Sequence, residues 1–249
     1  MIKLFITDLD GCIAPPFVSP NWSAITEIRA LNMASVNDPT IPPMSICTGR
    51  PMPYAEAVAQ WLGIQLPFIF ESGGGMYDVV KNTITWHPSF DVQTKIEVEE
   101  LKHWLEEVII KNYEGTIPEW AKHTDAAIIN QDPTKIPFML EEIEAYVQGK
   151  YMNFEVHHTD VSISILPKSC NKGAGISFLC KTLGVSLEEA AFIGDTGGDV
   201  PGLELVGRPF APANAHQKNK EVAVGLPQET TEAVLEAYKR IIAENRGKA

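Results

Sequence analysis

Positive charge is scarce in this chain: 20 Lys and Arg stand against 32 Asp and Glu, a net charge of -12 over 249 residues. That balance argues against nucleic acid or an anionic membrane as a partner, because a phosphate backbone is met by clustered Lys and Arg. A small phosphorylated ligand needs only local positive charge and stays open. No apolar stretch approaches a membrane span. The N-terminal apolar run is cut short by Asp8, so no signal peptide is expected. Cysteine is sparse as well. Cys12, Cys47, Cys170 and Cys180 show no C-x-x-C spacing and read as reduced, partly buried thiols in a cytoplasmic protein. Sequence repeats and low-complexity segments are absent. A 45% apolar composition suffices for one large domain or two modest ones, each with its own core.

What the chain does have is Asp8-Leu9-Asp10-Gly11, directly after the β-prone run Ile2–Thr7. Two carboxylates two residues apart at a strand's carboxyl end repel one another, and open α/β sheets place ligands at that edge. Such a pair calls for a cation, a shared proton, or both. The plainer alternative is an Asx-type turn.

The segments around it alternate. Ser19-Pro20 reads as the start of a helix carrying Trp22, Ile25, Ile28 and Leu31. Pro43–Cys47 reads as a strand ending at Thr48-Gly49-Arg50, Pro51 opens a helix, and Pro67–Phe70 is the next strand. This alternation is the signature of a parallel sheet with right-handed crossovers. The grammar then changes. A hairpin about Lys81-Asn82, a long helix through Leu101 and Val108, a strand at Ala126–Asn130, a helix capped at Asp132-Pro133 and two antiparallel strands at Tyr151–His157 and Val161–Leu166 make an α+β unit. After Lys172 the first grammar returns, with a capping box at Ser186–Glu189, a strand Ala190–Gly194 ending at Asp195, and a last helix from about Thr230. The expected fold class is α/β, a Rossmann-like doubly wound parallel sheet core over 1–81 and 167–249, with an α+β cap inserted at 82–166.

Four segments need explaining together: Asp8-Leu9-Asp10-Gly11, Thr48-Gly49-Arg50, Asn171-Lys172-Gly173 and Gly194-Asp195-Thr196-Gly197-Gly198-Asp199. Their order and chemistry resemble the haloacid dehalogenase superfamily of phosphotransferases. The fourth segment with Pro201-Gly202-Leu203, and Asn214-Ala215-His216 after it, resemble its Cof-like branch, as does Glu71-Ser72-Gly73-Gly74 with Ser72 where Asn is usual. The insertion lies in the gap of about 124 residues between Thr48 and Lys172, the place of that branch's type-two (C2) cap.

The resemblance implies roles. Asp8 is the nucleophile and becomes an aspartyl-phosphate; Asp10 is the general acid and base, and its backbone carbonyl serves a metal. Asp8, Asp10, Asp195 and Asp199 form the Mg²⁺ site, Asp199 standing behind the direct ligands. Thr48, Gly49, Lys172 and the Leu9 amide hold the substrate phosphate, while Arg50 and Asn214 reach substrate or support the site. Two departures stand out: Gly198 where Asn is usual, and Cys12 where Thr is usual. The expected function is a Mg²⁺-dependent phosphatase of a small phosphorylated metabolite, a sugar or polyol phosphate, acting as a monomer or weak homodimer. A phosphosugar mutase on the same fold, or an impaired binding protein, would keep much of the same pattern.

Overall fold

The computed structural model describes residues 1–247. They fall into two compact units, Met1–Thr85 with the chain from Lys172 onward, and Trp86–Asn171. The expected insertion bounds, 82 and 166, lie a few residues earlier at each end. Strand β5 (Thr83–Trp86) pairs with β4 (Gly75–Asp78), which keeps residues through Thr85 with the first unit. At the other junction, Lys168 N–H donates to Asn153 O at 2.9 Å and Cys170 N–H to Pro167 O at 2.8 Å, which ties that stretch to the second unit.

The first unit is built on β1 (Leu4–Thr7), β2 (Met44–Ile46), β10 (Ala190–Ile193), β11 (Arg208–Ala211) and β12 (Val224–Gly225), in the order β12-β11-β10-β1-β2. Every pairing is parallel. A three-stranded ribbon of β3 (Phe68–Phe70), β4 and β5 follows, and a parallel bridge from Cys47 to Ile69 joins it beside β2. Alternate residues of β1 face opposite layers. Phe5 packs with Ile25, Ile28, Val58, Val234, Ala237 and Tyr238, whereas Leu4 and Ile6 pack with Ile176, Leu179, Phe192 and Leu203. Both faces are covered, which is why these strands read as continuous apolar runs.

The helices on the first face are α1 (Trp22–Ala34), α2 (Met52–Leu62) and α8 (Thr230–Asn245); the second face carries α5 (Lys172–Leu183) and α6 (Val200–Leu203). Helix α1 starts two residues later than Ser19-Pro20 suggests, because the Asn21 side chain takes the N–H groups of Ser23 and Ala24 at 3.0 and 3.2 Å. Helix α2 stops at Gly63, whose φ of 66° supplies the left-handed cap. A short helix, α7 (Gln217–Val222), precedes β12.

The second unit is a four-stranded antiparallel sheet, β6-β7-β9-β8, made of β6 (Ile117–Pro118), β7 (Ala126–Ile129), β8 (Phe154–His158) and β9 (Ser162–Pro167). It packs with α3 (Val92–Trp104) and α4 (Ile136–Lys150) around Val98, Leu101, Ile128, Met139, Ile143 and Ile165. The continuation of α3 over Leu105–Ile110 widens to π hydrogen bonding, and Leu105 and Ile109 are both buried there. Asp132 closes a turn by accepting from Thr134 N at 3.1 Å, so α4 begins later than Asp132-Pro133 suggests. Trp104 fills core space, stacked on Tyr146 at 3.9 Å, while Trp120 is 71% exposed. No helix among the described residues is long and apolar enough to cross a membrane.

Candidate active site

The sheet reverses its winding at β1, with β2 on one side and β10 on the other, and ligands bind at the carboxyl ends of strands at such a point. Thr7 stands opposite Ile193 on β10 and Ile46 on β2. The residues that follow each strand therefore emerge along one edge. Asp8 N–H still reaches Ile193 O at 3.0 Å, and Cys47 N–H reaches Thr7 O at 3.0 Å.

Lys172, the first residue of α5, is the hub. Its ammonium lies 2.9 Å from Asp8 Oδ1 and makes a short ion pair with Asp199 Oδ1. Lys172, Asp8 and Asp199 are all buried. Asp199 spends its other oxygen on the loop, accepting from Asp195 N at 3.0 Å, Thr196 N at 2.8 Å and Thr196 Oγ1 at 3.0 Å. Both its oxygens are thus committed, and it braces the Asp195 loop and Lys172. Asp195 is buried too, yet its Oδ1 has no hydrogen-bond partner among the described residues.

Electrostatics follow from burial. Desolvation pushes the Asp8 carboxyl up to about 7, against the pull of Lys172 and with a push from Asp199. Asp195 rises to about 8, first through burial and then through Asp8 and Asp199. Lys172 is held far above the usual lysine range: burial opposes its charge, but the two carboxylates outweigh that. Asp8, Asp195 and Asp199 against Lys172 leave two uncompensated negative charges when all are ionised. A buried oxygen without a partner and a surplus of two charges are what a divalent cation satisfies. Carboxylate oxygens of Asp8 and Asp195 also lie within 4.8 Å of each other and of Cys12 Sγ. The residues fit such an ion. Asp8, Asp195 and the Asp10 carbonyl, which accepts no backbone hydrogen bond among the described residues, would hold it.

Asp10 is fastened differently. Arg50 Nε and Nη2 donate to its two oxygens at 2.6 and 2.8 Å, a bidentate pair. The guanidinium is flanked by the rings of Phe17 and Tyr54, with centroids at 5.6 and 5.1 Å. Arg50 therefore orients Asp10, and neither ring was singled out from sequence for this. Tyr54 follows Arg50 by four positions, the one local signal available.

Thr48 is buried, and its hydroxyl oxygen accepts from Arg50 N at 3.1 Å, which leaves its proton to donate elsewhere. The N–H groups of Leu9 and Gly49 donate to no protein atom among the described residues. Those amides and the Lys172 ammonium supply the donors that an anion would use. Glu71 and Ser72 support this loop from behind, with N–H groups donating to Arg50 O at 3.0 Å and Thr48 O at 2.9 Å. Both carry positive φ, 48° and 54°, an uncommon state for such residues and a mark of local constraint. Asn214 is a brace: its amide donates to Gly11 O at 2.9 Å and its carbonyl accepts from Thr230 N at 3.1 Å.

Gly11 has φ of 75°, and a Cβ added there would lie 1.9 Å from Asp195 Oδ2. We expect Gly11→Ala to displace Asp195, lowering turnover about 100-fold and stability by about 1–2 kcal/mol from the backbone alone. Steady-state kinetics and thermal melts would check this; wild-type kinetics in that variant would mean the close approach is unimportant.

The chain is similar to known proteins along nearly its whole length. Residues 93–237 match a family model described as haloacid dehalogenase-like hydrolase. A phosphoglycolate phosphatase of Methanopyrus kandleri is 29% identical over 248 residues, 98% of this chain and 99% of its own length. A solved HAD/COF-like hydrolase from Plasmodium vivax superposes with a TM-score of 0.75 at 18% identity, covering 98% of this chain and 96% of that one. The sucrose-phosphatase of Synechocystis, solved with sucrose and phosphate, gives a TM-score of 0.69 at 17% identity over 97% and 98% of the two chains. By its sequence match over more than half of its length, the chain belongs to the haloacid dehalogenase-like hydrolases.

Proposed function

We propose that this chain is a Mg²⁺-dependent phosphatase that hydrolyses a small phosphorylated metabolite through an aspartyl-phosphate on Asp8. As a hydrolase of this family with phosphatase relatives, it is a phosphoric monoester hydrolase. The observation that carries the finer reading is the Asp8–Lys172–Asp199 chain beside the unpartnered Asp195 oxygen. Lys172 fixes one oxygen of Asp8 and leaves the other to attack phosphorus. As that bond forms, the bond from phosphorus to the ester oxygen breaks, and Asp10 gives the leaving alkoxide a proton. Water then attacks the phosphoryl group, Asp10 takes up its proton, and inorganic phosphate departs from a regenerated Asp8. Thr48, the Leu9 and Gly49 amides and Lys172 hold the phosphoryl oxygens throughout. Mg²⁺ bound by Asp8, Asp195 and the Asp10 carbonyl would lower the repulsion between anionic nucleophile and anionic ester. We assign Trp86–Asn171, the second compact unit, to the role of a cap.

The relatives make 2-phosphoglycolate the first substrate to try, beside sugar and polyol phosphates. Purified protein with Mg²⁺ is expected to release inorganic phosphate from at least one member of that panel. Chelation should abolish release, and added Mg²⁺ should restore it. Turnover that survives exhaustive chelation would refute the metal assignment. Formation of a phosphate positional isomer in place of inorganic phosphate would convert the reading to a mutase.

A further inference from the structure

Cys12 lies beside the carboxylate cluster. Its side chain is fully buried, and its Sγ lies within 4.8 Å of carboxylate oxygens from both Asp8 and Asp195. Among the described residues its one hydrogen-bond contact is a long one to Ile193 O at 3.8 Å, a weak interaction for a thiol. The second observation is independent of the cysteine: Asp195 is 8% exposed and its Oδ1 lacks any partner. One sulfur and two carboxylates around a common point are a mixed soft and hard donor set. Thiolate ligands select zinc-like ions, and three protein ligands with an open position are the usual arrangement of a non-structural zinc site.

We propose that Cys12, Asp8 and Asp195 bind a thiophilic divalent cation such as Zn²⁺ at the catalytic centre, in competition with the cation that supports turnover. The proposal rests on the reading that Asp8 and Asp195 face a shared cation, and adds the sulfur to it. On binding, the Cys12 S–H bond breaks, a metal–sulfur bond forms, and the proton leaves to solvent. Occupancy draws the Asp8 carboxylate into a tight complex and withholds it from phosphorus, so the soft ion inhibits where the hard ion supports the reaction.

Co²⁺ and Cd²⁺ are the probes, titrated into the full chain. We expect a near-ultraviolet thiolate-to-metal charge-transfer band that saturates with one ion. Cys12→Ser and Cys12→Ala should abolish the band and weaken Cd²⁺ binding at least about tenfold, with fold retention checked by circular dichroism. Cys47→Ser and Cys180→Ser should keep the band. Two results would overturn the proposal: binding of Cd²⁺ to wild type without the band, or a band that persists in a folded Cys12→Ala protein. Phosphate release with Mg²⁺, measured in parallel, separates this proposal from the catalytic one. A missing band with intact turnover removes the sulfur ligand alone; a Cys12-dependent band without turnover on any ester removes the phosphatase reading alone.

Discussion

Asp8→Asn should reduce turnover by about four orders of magnitude or more while making the metal-free protein more stable. The amide keeps the shape of the carboxylate and can still accept from Lys172, which sits 2.9 Å from Asp8 Oδ1. It cannot form the acyl-phosphate. The stability gain has a defined pH dependence. Burial raises the folded-state Asp8 carboxyl from 3.8 to about 7, so between those values the folded protein holds a proton that the unfolded chain has lost. Wild-type stability therefore falls as pH rises through that window, at up to about 1.4 kcal/mol per pH unit for such a group. Asn has no proton to lose. Its advantage should be small near pH 4 and largest above pH 7, about 1–3 kcal/mol, or roughly 2–10 °C in melting temperature. Calorimetry of metal-free protein at pH 5 and pH 8 would measure it. Equal stability of the two proteins at pH 8 would mean that Asp8 carries no burden of like charge. Residual turnover near wild type would remove Asp8 as nucleophile.

The same cluster shows what a sequence can and cannot convey. Asp8, Lys172 and Asp195 were legible because each follows or opens a strongly patterned element, and a parallel sheet delivers such ends to one edge. The order of the four loops then constrained the chemistry. The Arg50–Asp10 fork was not legible as a pair, since forty positions separate the partners and only the close approach of the β1 and β2 ends joins them. Phe17 is likewise distant in sequence from Arg50 and gave no sign of flanking it, and Tyr54 offered only its four-residue spacing. For Asn214 the sequence left substrate contact and support both open, and its two hydrogen bonds, which tie Gly11 to the start of α8, fit support. Local boundaries slipped where one side chain decides them, as with Asn21 ahead of α1 and Asp132 ahead of α4. In the second unit, periodicity gave the apolar residues of α3 but not the π widening at Leu105–Ile110, where Leu105 and Ile109 join the core of that unit.

Lys172→Met should be the most damaging single change to the apoprotein. The ammonium is buried and paired with Asp8 and Asp199, and nothing else cationic reaches Asp199 among the described residues. Breaking a buried pair by removing one partner costs about 3–5 kcal/mol, because the remaining charges stay in a dry site. Methionine nearly conserves the volume, so packing contributes little to that loss. The sign with pH distinguishes charge from packing. Without Lys172 the carboxyls of Asp8 and Asp195, already raised to about 7 and about 8, move further upward. The folded variant then retains protons over a wider range than the unfolded chain, and its stability falls more steeply with rising pH than that of wild type. The destabilisation should be largest near pH 8 and shrink toward pH 5, where protonation replaces the missing ammonium. Turnover should fall at least about 100-fold at every pH, since the phosphoryl oxygens lose a charged donor. Melting curves of Lys172→Met and wild type at pH 5 and pH 8, with and without Mg²⁺, test the whole chain of reasoning. Added Mg²⁺ should recover part of the stability at pH 8 and little at pH 5, because a divalent cation and a proton compete to neutralise the same oxygens. A deficit that is the same at both pH values and indifferent to Mg²⁺ would show that Lys172 holds the site by packing, and that the buried carboxylates are not strained by their own charge.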